Sequence, residues 1–218
     1  MKTASQIPLD LGHAPSFEID DFIVSGSNEA ASNLVRSWPN WPAKTVALVG
    51  PASSGKSHLA QAWALDAGAT IYGAGMTARD ITPGVPVLAE NLDRQGRPDA
   101  EIFHLLNWTK EVSSNLLITS QQHPTKWQIE LPDLRSRLAT ILVGEILQPD
   151  DELLMLLMVK LFSDRQLHVE LPVLNYLIPR IERSFASVYG FVARVDAAAL
   201  AGKRKISRAL AKSCLEDI

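Results

Sequence analysis

The chain has one cysteine in 218 residues, Cys214, and a single thiol cannot close an internal disulfide, so a disulfide-stapled scaffold is excluded. Its place near the end of a helical pattern reads as a small buried hydrophobe rather than a nucleophile. No apolar stretch of signal-peptide length follows Met1-Lys2, and no window approaches the ~20 apolar residues of a membrane span. The expected compartment is the cytoplasm, with no membrane contact. Neither sign of charge dominates, since 21 Lys and Arg stand against 24 Asp and Glu for a net charge of -3. No strongly basic domain advertises a nucleic-acid surface. Aromatics are 6% of the chain, and Trp38, Trp41, Trp63, Trp108 and Trp127 are not interleaved with basic residues, which favours packing over base stacking. The five histidines, His13, His58, His104, His123 and His168, lack metal-ligand spacing beside cysteines or carboxylates. No repeat of 20–50 residues is visible, which argues against a solenoid.

What is present is the composition of a globular chain, 46% hydrophobic and 21% charged, with the length of one α/β domain plus an appendage. Residues 1–16 hold Pro8, Gly12 and Pro15 with no sustained period and read as an extended arm. Ser27-Asn28 caps a helix running to about Ser37. Thr45-Val46-Ala47-Leu48-Val49 is a wholly apolar run, the mark of a strand buried on both faces of a parallel sheet. Further strands are expected at 69–72, 85–89, 115–119 and 140–143, alternating with helices at 56–67, 99–112 and about 132–138. That alternation implies βαβ crossovers and an α/β class, a parallel five-stranded sheet over residues 17–148. After Pro149, Asp150-Asp151 caps a long helix from Glu152 to about Arg165, and a helical lid is expected over 149–218. Lys203-Arg204-Lys205 reads as a solvated inter-helix loop.

Gly50-Pro51-Ala52-Ser53-Ser54-Gly55-Lys56-Ser57 fits the P-loop pattern G-x-x-x-x-G-K-[ST] and lies between an expected strand and an expected helix, as that motif requires. The glycines let the backbone curl so that its N–H groups face phosphate oxygens, and the helix adds the positive end of its dipole. Lys56 would hold the β- and γ-phosphates of ADP or ATP, with the Ser57 hydroxyl on Mg²⁺ and His58 closing the nucleotide-binding set. A second strand ending in acidic residues normally serves the metal and the attacking water. Here it reads Val85-Pro86-Val87-Leu88-Ala89-Glu90-Asn91-Leu92-Asp93, where Glu90 can face Mg²⁺ but Asn91 cannot act as a base. Intrinsic hydrolysis is expected to be weak or absent.

With these motifs the chain resembles the DnaA family of bacterial replication initiators, and most closely its shortened Hda-type regulators, which promote hydrolysis of DnaA-bound ATP. Phe22-Ile23-Val24 with Ser27-Asn28 resembles the adenine-side segment of that family, and Leu117-Ile118-Thr119-Ser120 its sensor-1 strand. Leu131-Pro132-Asp133-Leu134-Arg135-Ser136-Arg137-Leu138 resembles the box that carries an arginine finger. The resemblance implies an AAA+ fold with a helical lid and a trans-acting finger at Arg137, with Arg135 a rival at the same site. A guanidinium delivered from a neighbouring subunit stabilises the charge that spreads over the γ-phosphate oxygens. The family's sensor-2 arginine falls on Ala186, and Arg183 is out of register. Gln6-Ile7-Pro8-Leu9-Asp10-Leu11 resembles a peptide that docks on the polymerase sliding clamp, with Leu9 and Leu11 entering apolar pockets while Gln6 hydrogen-bonds at the rim. DnaA continues into a helix-turn-helix domain whereas this sequence ends at Ile218, so direct sequence-specific DNA binding is not expected. The implied partners are DnaA and the clamp, with homo-oligomerisation open. The alternatives are a self-contained AAA+ ATPase, such as a helicase loader, and an adaptor that binds DnaA or clamp without stimulating hydrolysis.

Overall fold

The computed structural model describes residues 22–94, 96–202 and 205–216. The expected arm, with its clamp motif at Gln6, Ile7, Pro8, Leu9, Asp10 and Leu11, lies outside the described residues. Five strands, β1 (Thr45–Val49), β2 (Thr70–Ile71), β3 (Val87–Ala89), β4 (Leu116–Ser120) and β5 (Leu142–Glu145), form one parallel sheet in the order β2-β3-β4-β1-β5. Between them run α1 (Glu29–Arg36, before β1), α2 (Lys56–Ala67), α3 (Asp99–Glu111) and α4 (Pro132–Leu138).

Side chains alternate across β1. Ala47 and Val49 join Ile102, Leu105 and Leu134 on the face covered by α3 and α4. Val46 and Leu48 join Ala31, Val35, Leu59 and Trp63 on the face covered by α1 and α2. Burial on both faces is why this strand is apolar throughout. Trp41 stacks on Trp63 with ring centroids 5.1 Å apart, and Trp38 meets the same ring edge-on at 6.2 Å, the packing role expected of them.

Strand limits differ from the sequence expectation for local reasons. Thr140 and Ile141 close the last turn of α4, donating to Arg137 and Leu138 carbonyls at 3.0 and 3.4 Å, so β5 begins at Leu142 and runs on through Gly144. A Cβ at Gly144 would meet Ala31 Cα at 3.2 Å, so the glycine lets α1 lie against the strand. Val85 is held in a turn to Thr82, which delays β3 to Val87, and β2 is a two-residue edge strand whose Ile71 is exposed.

The C-terminal region is helical, α5 (Asp151–Asp164), α6 (Leu171–Leu177), α7 (Phe185–Gly202) and α8 (Arg208–Glu216), around a separate cluster that includes Leu154, Phe162, Leu174, Phe191, Val195 and the buried Cys214. By length and composition α7 alone among the described helices could cross a membrane, but Val188, Phe191, Val192 and Val195 pack into this cluster. Asp150 ties the region to the start of the core. Its Oδ1 accepts from the Leu153 amide at 2.7 Å, capping α5, and its Oδ2 accepts from the Ser25 hydroxyl at 2.9 Å and the Ser27 amide at 3.2 Å. Burial pushes this carboxyl up, and the hydrogen bonds from Leu153, Ser25 and Ser27 together bring it below the usual aspartate value. Asp150→Ala should lower stability by about 1 kcal/mol or more in chemical denaturation, the ordinary cost of a lost cap. A carboxyl depressed in the folded state contributes fully above its unfolded pKa, and that contribution is lost as pH falls through the folded value. The wild-type advantage should therefore hold at neutral pH and vanish in acid below the ordinary aspartate range; an equal difference at both pH values would refute this role.

Candidate functional site

The carboxyl ends of β1, β3 and β4 lie side by side, with Val49 paired to Ser120 and Ala89 to Ile118, so the loops leaving these strands converge at one edge of the sheet. The loop of residues 50–57 leaves β1 and enters α2. A Cβ at Gly50 would lie 2.2 Å from the Ile146 carbonyl oxygen, so the backbone runs where only glycine passes. Gly55 has φ +92°, in the left-handed region, and Ser53 is also at positive φ, +53°. Gly50 donates to the Ser120 carbonyl at 3.3 Å, but among the described residues the amides of Ala52, Ser53, Ser54, Gly55, Lys56 and Ser57 make no hydrogen bond. Six free amides on a left-handed turn at a helix start form an anion cradle, and the dipole of α2 adds to it.

Lys56 is buried, and its Nζ donates to the Gly50 and Pro51 carbonyls at 2.9 and 2.5 Å and reaches Ser54 Oγ at 3.5 Å. Burial pushes the ammonium below the usual lysine value, and the charge of Asp93 opposes that shift. Ser57 is exposed at the first turn of α2. The His58 ring lies 5.8 Å from the Phe22 ring. Phe22 and Phe185 also bracket Gly55, at 3.6 and 3.4 Å from where its Cβ would stand. The Phe185 amide donates to the Ser53 carbonyl at 3.1 Å, so the first turn of α7 is hydrogen-bonded to the loop. Phe185 escaped the sequence reading, although it immediately precedes the residue singled out at Ala186.

On the neighbouring strand, Glu90 Oε2 accepts from Gln61 Nε2 at 3.0 Å. Gln61 lies one turn beyond Ser57 on α2, so Glu90 sits on the Ser57 side of that helix. Asn91 is exposed at φ +49°, with its amide donating to Thr119 Oγ1 at 2.8 Å. Asp93 was not singled out from sequence. Its Oδ2 accepts from the Gln121 and Gln122 amides at 2.9 and 3.2 Å, fixing the turn after β4, while its Oδ1 is buried with no hydrogen-bond partner. Ser120 Oγ donates to the Gln122 carbonyl in the same turn at 2.9 Å.

The two arginines of α4 are in different circumstances. Arg135 Nη2 donates to the Ile129 carbonyl at 2.6 Å and is committed to the preceding loop. Arg137 rests its guanidinium over the Phe103 ring, 5.1 Å from the centroid, and makes no hydrogen bond or ion pair with any described residue. Its N–H donors are available. On the helical side Ala186 is exposed, and Arg183 pairs with Asp151 at 2.7 Å and contacts the Pro149 carbonyl at 3.5 Å, so its guanidinium is held at the junction before α5. No group of three or more His, Cys, Asp or Glu able to hold a metal occurs among the described residues.

A parallel five-stranded sheet in the order β2-β3-β4-β1-β5, with a P-loop after β1 and a helical region following the last strand, has the AAA+ class of P-loop fold. Within that class the chain is similar to DnaA. Over 122 residues it is 29% identical to the chromosomal replication initiator protein DnaA of Caldanaerobacter subterraneus subsp. tengcongensis, a match covering 56% of this chain and 28% of that one. Domain III of Thermotoga maritima DnaA superposes with a TM-score of 0.74 at 17% identity, covering 94% of this chain and 97% of that one. AMPPCP-bound DnaA from Aquifex aeolicus superposes at 0.72 with 19% identity, covering 87% and 68%. The chain spans about a quarter of the length of the curated relatives it matches. No protein-family profile matches it.

Proposed function

We propose that this chain binds ADP or ATP in the loop 50–58 and acts as an Hda-type regulator of replication initiation, offering Arg137 to ATP held by DnaA. The observation that carries the nucleotide half is the row of six amides, Ala52 to Ser57, that make no hydrogen bond among the described residues in a loop whose path requires glycine at Gly50. The AMPPCP found in the similar Aquifex DnaA supports an adenine nucleotide there. Residues 50–58 would hold the phosphates, with Lys56 supplying charge, and the Ser57 hydroxyl and Glu90 would serve Mg²⁺. The bound metal would neutralise charge on the phosphate oxygens.

The regulatory half rests on an imbalance between what the chain offers and what it keeps. Arg137 is unengaged by hydrogen bonds, yet Asn91 stands where a base is needed and Ala186 where a lid arginine is needed. A subunit so arranged completes a neighbour's site better than its own, which favours the regulator over a self-contained ATPase. Within this reading residues 1–16 are the docking arm, 17–148 the nucleotide domain and 149–218 the lid.

Calorimetry with Mg-ADP and Mg-ATP tests the nucleotide half directly: saturable heat is expected, and none at millimolar nucleotide would refute it. The arm at Gln6, Ile7, Pro8, Leu9, Asp10 and Leu11 is proposed to dock on the sliding clamp. Two or three apolar and hydrogen-bonding anchors correspond to about micromolar affinity. The pair Gln6→Ala and Leu9→Ala should abolish co-elution with purified clamp; undiminished co-elution of the double variant would assign clamp binding elsewhere.

A further inference from the structure

We propose that the C-terminal helical region carries a second anion site, separate from the P-loop, that takes a phosphate group. A pocket of about 480 Å³ opens between α6, α7 and α8, a size suited to a small ligand or one phosphate of a longer chain. Among its lining residues Arg180, Arg194 and Lys212 are cations and Glu182 is the one carboxylate. Glu182 accepts from the Ser187 hydroxyl at 2.9 Å, so its charge is already engaged at the rim.

The guanidiniums are set in place without acidic partners. Arg180 lies 4.2 Å from the Tyr176 ring centroid and donates to the Tyr176 carbonyl at 2.8 Å, while Arg208 lies 4.3 Å from the same centroid. Arg194 Nε donates to the Cys214 carbonyl at 3.3 Å, and its Nη1 lies over Gly190, 3.5 Å from where a Cβ would stand. No described carboxylate is within ion-pair range of Arg180, Arg194 or Arg208. Arg180, Arg194 and Lys212 thus line one pocket with Tyr176, whose ring Arg208 also meets, in a chain whose net charge is -3. Guanidiniums held this way without acidic partners raise one another's energy, and an entering dianion relieves the repulsion. Planar guanidinium forks fixed by aromatic stacking and backbone carbonyls are preorganised for bidentate oxyanions, and a phosphate dianion brings more charge to several such forks than a carboxylate does.

The pocket is not an extension of the P-loop. Phe185 faces Gly55, while the next residue, Ala186, lines the pocket about 100° further round α7. A phosphate group can come from a small polyphosphate or from a nucleic-acid backbone, and the test separates them. The ¹⁵N-labelled full chain is titrated with pyrophosphate and, separately, with a short DNA duplex, and amide shifts are followed at Ser187 and Gly190 and at Gly55. Ser187 and Gly190 should shift saturably. In Arg180→Gln with Lys212→Gln that response should weaken about tenfold or more, the loss expected for charge-assisted contacts, with Gly55 responding as in the wild type. Response to pyrophosphate alone assigns the site to small phosphorylated ligands; response to duplex that falls steeply with salt assigns it to backbone phosphates. Silence at Ser187 and Gly190 with both probes, or an unchanged response in the double variant, overturns the proposal. Lys212→Gln alone, on the exposed face of α8, repeats the comparison if the double variant is unstable.

Discussion

Arg137→Ala is expected to eliminate the added ATP hydrolysis in a mixture of DnaA, DNA-loaded clamp and this protein, while nucleotide and clamp binding by the variant stay near wild type. An arginine finger is worth ~10³–10⁵ in rate where measured in GTPases, so even a small part of that effect is visible in phosphate release. The separation of effects follows from placement. Arg137 is on α4 against Phe103, whereas the phosphate loop joins β1 to α2. Removing it leaves no buried partner unsatisfied, because it makes no hydrogen bond among the described residues. Arg135→Ala is the control: it loses a bond to Ile129 and should alter stability more than stimulation. If Arg137→Ala stimulates as well as wild type, the finger assignment is lost; if wild type itself does not stimulate, the adaptor reading replaces the regulator.

Lys56→Ala should weaken Mg-ADP binding by on the order of a hundredfold, since a charged donor contributes about 1.5–3 kcal/mol per contact and each 1.4 kcal/mol is a factor of ten. The ammonium already sits against the Gly50 and Pro51 carbonyls, so it holds the shape of the loop as well as offering charge. Gly50→Ala should abolish binding by a different route, because the new Cβ would stand 2.2 Å from the Ile146 oxygen and the loop must move. The two variants are told apart by thermal denaturation: Lys56→Ala, which loses two hydrogen bonds to loop carbonyls, should be lowered modestly, whereas Gly50→Ala, whose Cβ forces the backbone to move, should be destabilised further. Wild-type heats of Mg-ADP binding in Lys56→Ala would remove the loop from the nucleotide site.

The alternation of apolar runs with helical segments made the parallel α/β core legible, and the stretch after Pro149 was legible as helical, because both follow from short-range periodicity. Boundaries moved where tertiary contact intervened. Residues 140 and 141 look like strand by composition but finish the turn of α4, and Gly144, a strand-weakening residue by propensity, belongs to β5 because α1 needs the space. Asp93 gave no signal in the sequence, since its partners, Gln121 and Gln122, lie 28 and 29 positions away.

By itself the sequence determined the chemistry on offer: the two glycines, the lysine and the serine of residues 50–57, and the two arginines of one short helix. Those depend on residue type and local spacing, which a chain carries before it folds. Only the tertiary structure decided which groups are free to act. Arg135 is spent on Ile129 and Arg183 on Asp151, while Arg137 is left on an aromatic face. Phe22 and Phe185, more than 160 positions apart, meet at Gly55. Arg180 from the turn before α7 and Arg208 from α8 meet at Tyr176, and Arg194 from α7 lines the same pocket as that tyrosine, without a carboxylate in ion-pair range among the described residues. A side chain's partners are set by which elements pack together, and no local pattern encodes that.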